Sequence, residues 1–156
     1  MTVLDYRQPT RSDIEIVATY MRDADVVELR ELGREDPHGA LKQSVENSAA
    51  SFTILAGDTP LGVVGVGGVG LLGGVGAPWL LGTEGLRAQR RALILDGREI
   101  ISSWARRYQL LQNVVSVRNE MSVRWLHHMG FAFGEPFNTP FGGRAVTFYM
   151  EGTRNV

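Results

Sequence analysis

Two hydrophobic periods alternate along the chain, and the change from one to the other is clearest around Asn119. The stretch 114–117 is a short β-branched run, which is typical of a buried strand. Asn119 interrupts this run at a position suited to a helix N-cap, where its side-chain oxygen is available to an unpaired backbone amide. Apolar residues then recur at spacings of three and four, and Gly130 suits the left-handed residue that ends many helices. We therefore predict a strand, a helix started by Asn119 and a glycine stop.

The same two periods predict the other elements. The long helix among them carries Gly97 on its apolar stripe, which predicts close packing against a sheet. In chain order we expect a strand at 2–6, a helix capped by Thr10 or Ser12 and ending near 21, helices at 25–32 and 40–47, a strand at 51–56, a strand with a loose hairpin at 61–76, a returning strand at 77–81, a helix at 87–108, and closing strands at 132–137 and 144–150.

Composition limits which classes of protein and which kinds of binding site we expect. The 156 residues suffice for one domain with a layered core, and 44% hydrophobic with 21% charged residues is ordinary for a soluble globular protein. A net charge of −1 gives no broad attraction to nucleic acid or anionic membrane, and no stretch approaches the ~20 apolar residues of a membrane span. Without cysteine, and with His127 and His128 about 100° apart on one helix, we expect no metal site.

A glycine-rich run invites a nucleotide-binding interpretation. Gly65, Gly67 and Gly70 match G-x-G-x-x-G, but a dinucleotide site needs a strand that runs directly into a helix. These glycines lie in a β-branched run, and Pro78 follows them. The absence of a nearby lysine excludes a Walker A loop. We predict that the glycines stand where backbones or a ligand approach closely.

Asn119, Ser122, Leu126 and the pair Gly130-Phe131 fit the pattern N-x-x-[AS]-x-x-x-[Y/other]-x-x-x-G-F. This stretch resembles motif B of the GNAT (GCN5-related N-acetyltransferase) family, and the opening YRQPTRSDIEIVATYM resembles its first strand and helix. The resemblance implies a single α/β (α+β) GNAT-type domain over 1–156. Its mixed, mostly antiparallel sheet would be flanked by helices, with the fourth and fifth strands splayed apart between 79–81 and 114–117.

The resemblance also implies a cofactor site for acetyl-CoA or CoA in that gap. In the family the pantetheine arm pairs with free backbone groups of the fourth strand, and the pyrophosphate lies on amides at the start of the next helix. The implied cofactor-binding residues are Trp79, Leu80 and Leu81 for pantetheine, Gly82, Thr83, Glu84, Gly85, Arg87 and Arg90 for pyrophosphate, and Asn119 and Ser122 beside the thioester.

Two positions depart from the family pattern. The pyrophosphate signature [QR]-x-x-G-x-[GA] is matched at Arg87 and Ala92, but Arg90 replaces its central glycine. A long side chain there obstructs the close backbone approach that glycine permits. Leu126 stands where the family usually has a tyrosine that protonates the leaving thiolate, and general-acid help is typically worth 10²–10⁴-fold. We therefore assign no catalytic residue and expect weak acetyl transfer or none.

Charged residues near the implied cleft allow two interpretations each. Arg87, Arg90 and Arg91 crowd the start of the long helix, which is unfavourable unless an anion or an acidic partner binds there. They form either a phosphate or partner site or a solvated turn. Glu84 and Glu135 are candidates for a general base or ordinary surface carboxylates.

A narrower resemblance covers residues 50–150. The segments PWLLGTEGL, ARRYQLLQN and VRNEMSVRWLHHMGF are similar to the GNAT-like internal virion protein A group of short-tailed bacteriophages. This resemblance implies a virion or assembly protein, located in the virion or the host bacterial cytoplasm, with other virion proteins as partners. The alternative is an active acetyl-CoA-dependent N-acetyltransferase that acts on an unknown amine or protein.

Overall fold

A computed structural model describes residues 3–69 and 73–153 of the chain. These residues form five α-helices, one 3₁₀ helix and eight strands. In chain order the elements are β1 (Leu4–Arg7), α1 (Arg11–Thr19), α2 (Asp23–Glu31), α3 (Pro37–Glu46), β2 (Ser48–Ala56), β3 (Thr59–Val69), β4 (Val75–Gly82), the 3₁₀ helix (Glu84–Gln89), α4 (Arg90–Ala105), β5 (Leu110–Ser116), α5 (Glu120–Met129), β6 (Ala132–Phe133), β7 (Phe137–Asn138) and β8 (Arg144–Glu151).

The strands form one mixed sheet in the order β1-β2-β3-β4-β5-β8-β6, with β7 also paired to β8. Every described pair is antiparallel except β4 with β5, which are parallel. The helix α4 connects these two strands, as a parallel pair requires a crossover. The predicted mixed, mostly antiparallel sheet is therefore confirmed.

The central parallel pair is open over most of its length. The strands β4 and β5 share register only at Val75 with Leu110 and at Gly76 with Leu111. Beyond that point Asn113 Nδ2 reaches across and donates a hydrogen bond to the Pro78 carbonyl oxygen at 2.9 Å. The two strands then part, which confirms the predicted splay and leaves a gap in the middle of the sheet.

Two apolar layers cover the two faces of the sheet. One contains Trp104 and Leu126 from α4 and α5 against β5 and β8, and the other contains Val17 and Leu41 from α1 and α3 against β3. Gly97 lies where an added Cβ would come within 2.9 Å of the Trp125 ring. Close packing at Gly97 is therefore confirmed, but the prediction that the sheet is its partner is wrong, because the contact is with α5.

Local chemistry sets several element boundaries. Thr10, one of the two predicted caps, forms a reciprocal capping box with Asp13 at the start of α1. Gly130 ends α5 in the left-handed conformation with φ of 97°, as predicted. Asn119 occupies the N-cap position of α5, but the prediction that its side chain caps the helix is wrong, because that side chain makes no cap hydrogen bond.

Other boundaries differ from the predicted ones. The long helix begins at Arg90 and not at 87, because Thr83 first accepts the Gly85 N–H and starts a separate 3₁₀ helix. The predicted strand at 132–137 divides into β6 and β7, which pair with different parts of β8. Residues 70–72 of the predicted strand and loose hairpin at 61–76 lie outside the described residues, as does Thr2 of the first strand. No described helix has the length and apolarity needed to cross a bilayer.

Candidate functional site

Two adjoining cavities occupy the region where β4 and β5 part. The first, here called the α4–α5 cavity, has a volume of about 390 Å³ and lies between the start of α4 and α5. The second, here called the α2 cavity, has a volume of about 250 Å³ and is lined by α2, by both parted strands and by residues of α4 and α5. Leu80, Ser122 and Trp125 line both cavities. The two cavities therefore meet at Leu80, in the gap between β4 and β5, and the rest of their linings differ.

The lining of the α4–α5 cavity is strongly basic. Four arginines, Arg87, Arg90, Arg91 and Arg124, line it together with one carboxylate, Glu120. An exposed ion pair joins Arg87 to Glu84 at 3.6 Å, and such pairs contribute only about 0–1 kcal/mol. Guanidinium groups bind phosphate and carboxylate oxygens in a fork geometry. This cavity is suited to an anionic ligand.

The edge of β4 that faces the gap is mostly occupied by the protein's own groups. The Gly82 N–H donates to Asp25 Oδ2 at 2.9 Å, and the Gly82 carbonyl accepts from the Arg22 N–H at 2.8 Å. The Pro78 carbonyl accepts from Asn113 Nδ2, and proline has no N–H to offer. Because alternate residues of a strand point their backbone groups to the same side, Leu80 also faces the gap. Among these three residues, Leu80 alone offers a ligand both its N–H and its carbonyl.

A buried polar network joins α2 to the open ends of β4 and β5. The Arg22 guanidinium donates to Asp25 Oδ1 at 3.1 Å and to Asn119 Oδ1 at 3.2 Å. Asn119 Nδ2 donates to Asp25 Oδ1 at 2.9 Å and to Glu28 Oε2 at 3.4 Å. The Ser116 N–H donates to the same Glu28 oxygen at 2.7 Å. The network consumes the Asn119 side chain, which explains why it does not cap α5.

The carboxylates of this network are held in an environment that disfavours charge. Burial raises the pKa of Asp25, although Arg22, the Gly82 N–H and Asn119 act in the opposite direction. Burial also raises the pKa of Glu28 to about 7 from an ordinary 4.5, and the charge of Asp25 adds to this effect. Hydrogen bonds from Ser116 and Asn119 oppose the shift of Glu28. Glu28 lines the α2 cavity and therefore changes charge near neutral pH at a ligand-accessible position.

The Glu28 shift predicts a specific pH dependence of stability. Its folded pKa lies above its unfolded pKa, so the protonated form is favoured by folding. The resulting stabilisation is complete below about pH 4.5 and is lost as the pH rises through about 7. Urea unfolding at pH 5 and pH 8 should therefore show wild type losing on the order of 2 kcal/mol more than Glu28→Gln over this interval. Parallel pH profiles for the two proteins would contradict the shift.

Sequence reasoning did not identify the polar face of α2. Asp25, Glu28 and Glu31 recur at a spacing of three, which places them on one side of the helix. Glu31 Oε2 accepts from the Ser116 hydroxyl at 2.8 Å, so all three contact β4, β5 or Asn119. This spacing of acidic residues along one side of α2 was the available signal. It was missed because acidic helix faces usually point to solvent.

The predicted site residues fall into three sets in the structure, two of which share Leu80 and Ser122. Leu80, Arg87, Arg90 and Ser122 line the α4–α5 cavity. Trp79, Leu80, Leu81, Ser122 and Leu126 line the α2 cavity. Gly82, Thr83, Glu84, Gly85 and Asn119 line neither of these two cavities, and the same is true of Glu135, the other candidate base.

Individual contacts explain these positions. Trp79 Nε1 donates to Ser48 Oγ at 2.8 Å, and its ring covers Gly65, where an added Cβ would lie 2.6 Å from the ring. The glycine-rich strand was predicted to allow close approach of backbones or a ligand, whereas the group that approaches Gly65 is the Trp79 side chain. Leu126 is only 4% exposed and packs in the core beside the α2 cavity. Within residues 3–69 and 73–153 no group of three His, Asp or Glu residues is arranged to hold a metal ion.

Comparison with known proteins identifies the fold. No family model and no curated protein sequence matches the chain. Among solved structures, the chain is similar to the aminoglycoside acetyltransferase AAC(6')-Ib in complex with acetyl-CoA, at 15% identity and a TM-score of 0.66 over 96% of this chain and 93% of that chain. Spermidine N-acetyltransferase from Vibrio cholerae, in complex with CoA and spermine, matches at 13% identity and a TM-score of 0.66 over 97% and 96%.

A third similar structure is RimL, a ribosomal L7/L12 alpha-N-protein acetyltransferase in complex with CoA. It matches at 11% identity and a TM-score of 0.64 over 99% of this chain and 97% of that chain. All three of these proteins are acetyltransferases. An acetyltransferase of the GNAT family from Bacillus anthracis is also similar, with a TM-score of 0.62. The described chain therefore has the GNAT acetyltransferase fold.

Proposed function

We propose that the protein is a GNAT-fold bacteriophage protein that serves in the virion or its assembly and transfers acetyl groups weakly or not at all. The occupied edge of β4 is the observation that carries the proposal. In the related fold this edge is expected to pair with the pantetheine arm and to lead into the pyrophosphate site at Gly82. Here Asn113 fills the Pro78 carbonyl, and Asp25 and Arg22 fill the backbone groups of Gly82. Leu126 supplies no proton at the position where the family usually has a tyrosine. Both features support weak or absent acetyl transfer.

The residues that remain fit CoA only in part. Arg87, Arg90 and Arg91 at the start of α4, with Arg124 on α5, would hold its phosphate groups. Along β4 the backbone of Leu80, with Ser122 opposite, would hold the pantetheine arm. When bound, acetyl-CoA would supply an activated acetyl thioester. Because only one residue of β4 is open to the arm, we expect binding to be weak.

Calorimetry and a thiol-release assay test this part of the proposal. We expect CoA and acetyl-CoA to bind with a Kd on the order of 0.1–1 mM, and we expect Arg90→Ala to weaken this binding further. Acetyl transfer to a panel of small amines and peptides should stay far below about 1 s⁻¹. Turnover at or above that rate would overturn the degenerate assignment and favour the enzymatic alternative.

The absent general acid gives a prediction for Leu126→Tyr. The added ring and hydroxyl enter a packed region, so we expect a loss of about 1–3 kcal/mol in the free energy of unfolding and no efficient enzyme. Leu126→Met, which conserves volume, should cost less than about 1.5 kcal/mol. Urea unfolding and the thiol-release assay measure both effects. A stable and active tyrosine variant would show that only the missing hydroxyl limits catalysis.

The virion role is supported by the sequence resemblance over residues 50–150 to the internal virion protein A group. Mass spectrometry of purified particles and of assembly intermediates tests it directly. We expect the protein in at least one of these fractions. Its absence from both, with the protein present in the infected host cytoplasm, would contradict this role.

One observation favours the alternative of an active acetyl-CoA-dependent N-acetyltransferase. Glu28 is a carboxylate with a pKa of about 7 beside the gap, and a general base is most effective when its pKa lies near the working pH. In an active enzyme this group would take the proton of an attacking amine. The alternative requires that acetyl transfer by wild type rise with pH around 7 and that Glu28→Gln lose this dependence.

A further inference from the structure

We infer that the two cavities together bind a medium-chain fatty acid, with its carboxylate in the α4–α5 cavity and its hydrocarbon chain in the α2 cavity. The cavities meet at Leu80, Ser122 and Trp125, so one extended ligand can occupy both. The first cavity is basic and the second is apolar, which matches the two ends of such a ligand. Because the inference requires neither CoA binding nor acetyl transfer, it goes beyond the proposed function.

The α2 cavity has an apolar lining. Thirteen of its eighteen described lining residues are apolar, and they include all three tryptophans of the chain. Two of the indole N–H groups are already used, since Trp79 donates to Ser48 Oγ at 2.8 Å and Trp125 donates to the Leu93 carbonyl at 3.1 Å. These rings therefore present apolar surface to a ligand, and burial of a hydrocarbon chain against such surface is favourable.

Two polar side chains in this lining are engaged with the protein itself. Asn113 Nδ2 donates to the Pro78 carbonyl at 2.9 Å, and Asn113 Oδ1 accepts the Val114 N–H at 2.8 Å. Arg34, the one basic residue in the described lining, donates to Gln43 Oε1 on α3 at 2.7 Å. A hydrocarbon chain leaves these hydrogen bonds intact, whereas a ligand rich in amide groups would find few partners among them.

The α4–α5 cavity supplies the positive charge for the carboxylate of the ligand. Its arginines are Arg87, Arg90, Arg91 and Arg124. Only one carboxylate, Glu120, belongs to the described lining of this cavity. Guanidinium groups bind carboxylate oxygens in a fork geometry. Leu80, whose N–H faces the gap, lies where the cavities meet and offers a further donor to the carboxylate.

The position of Glu28 sets the direction in which the ligand lies. Glu28 is the one carboxylate in the described lining of the α2 cavity, and the Ser116 N–H and Asn119 Nδ2 donate to its Oε2 at 2.7 and 3.4 Å. An anionic head is repelled from this end and attracted to the arginines. Burial raises the pKa of Glu28 to about 7, so near neutral pH the side chain is partly uncharged and hydrocarbon can lie beside it. A second carboxylate at the far end of the ligand should not be accepted.

The test uses the full chain without CoA and octanoate as the probe, with tryptophan fluorescence and calorimetry as the readouts. Affinity should rise from butanoate through hexanoate to octanoate, by about two- to fourfold for each added methylene that enters the α2 cavity. Octanol and octylamine, which lack the anionic head, should bind at least about tenfold more weakly than octanoate. Octanedioate, which has a second carboxylate in place of the terminal methyl group, should be rejected to a similar extent.

Variants of each cavity test the two ends of the ligand separately. Val114→Phe narrows the α2 cavity from a half-buried position and should weaken octanoate binding by about tenfold, with a smaller effect on butanoate. Leu95→Phe, on the exposed side of α4, is its control and should change neither. Arg90→Ala should weaken octanoate binding about three- to fivefold and leave octanol binding unchanged, whereas Arg106→Ala, outside both described linings, should change neither. Glu28→Gln should keep octanoate binding and strengthen octanedioate binding.

Three results would overturn the inference. These are equal affinity for butanoate and octanoate, binding of octanol or octylamine as tight as that of octanoate, and unchanged octanoate affinity in Val114→Phe. If Val114→Phe does not fold, acrylamide quenching of wild type decides the question, because a chain in the α2 cavity should shield the tryptophans that line it and a chain bound elsewhere should not. A separate CoA titration keeps the two proposals apart. A protein that binds CoA but not octanoate loses only this inference, and one that ignores CoA is still expected to bind octanoate.

Discussion

Replacing Arg22 with methionine is expected to lower the free energy of unfolding by about 3–5 kcal/mol. Arg22 is 2% exposed, and its guanidinium contacts both Asp25 and Asn119. Removing it leaves the fully buried Asp25 without its cation and Asn119 Oδ1 without its donor. An uncompensated buried charge costs more than the lost hydrogen bonds alone. Urea unfolding at pH 7 measures the loss.

Two further variants show whether the buried charge is the cause. Arg118→Met removes a 73% exposed arginine that lies 3.9 Å from Glu31, and it should change stability by no more than about 1 kcal/mol. The double change of Arg22→Met with Asp25→Leu removes both charges and should recover part of the loss. If the double variant is less stable than Arg22→Met, the unpaired carboxylate is not what destabilises the single variant.

Leu86→Ala is expected to cost about 2–5 kcal/mol, in the upper part of that range. Leu86 is fully buried in the 3₁₀ helix, and its side chain covers two paired glycines, Gly62 of β3 and Gly82 of β4. Because neither glycine has a side chain that could move into the space, the cavity should remain open. Leu95→Ala on the exposed side of α4 is the control and should stay within about 0.5 kcal/mol.

A second measurement connects Leu86 to the basic cavity. Leu86 and the neighbouring Arg87 both line the α4–α5 cavity, so the truncation should loosen the start of α4. Crystals of Leu86→Ala, or binding of an apolar probe such as benzene, would reveal the empty space. A cost below about 1 kcal/mol, with no cavity, would show that the 3₁₀ helix settles onto the glycines.

The fold could be predicted from the sequence because its signals are local. The apolar periods around Asn119 correctly gave α5 and the glycine stop at Gly130, but they gave only the second half of β5, which begins at Leu110 and not at 114. The apolar stripe of the long helix gave α4, which connects the parallel strands. These periods record which side of an element is buried, and burial on one side is a property of neighbouring residues in the chain. The splay of β4 from β5 followed from the family resemblance and not from any local pattern.

The candidate site could be predicted only in part, because its polar contacts are not local. Asn119 has the sequence context of a helix cap, but a stronger set of partners on α2 takes its side chain. Asp25, Glu28 and Arg22 look like an ordinary charged helix face until β4 and β5 are placed against them. The arginines at the start of α4 were identifiable because their crowding at a helix N-terminus is itself a local anomaly.

The network on α2 also has a consequence for the order in which the molecule folds. Its hydrogen bonds join residues separated by 57 positions for Asp25 and Gly82, 88 for Glu28 and Ser116, and 94 for Asp25 and Asn119. Contacts of such long sequence separation form after the chain has closed large loops, whereas hairpins such as β2–β3 close early. During synthesis, most of the chain must therefore emerge before the charged residues of α2 can form these hydrogen bonds. The gap between β4 and β5, which this network borders, should therefore be among the last parts of the protein to acquire its final shape.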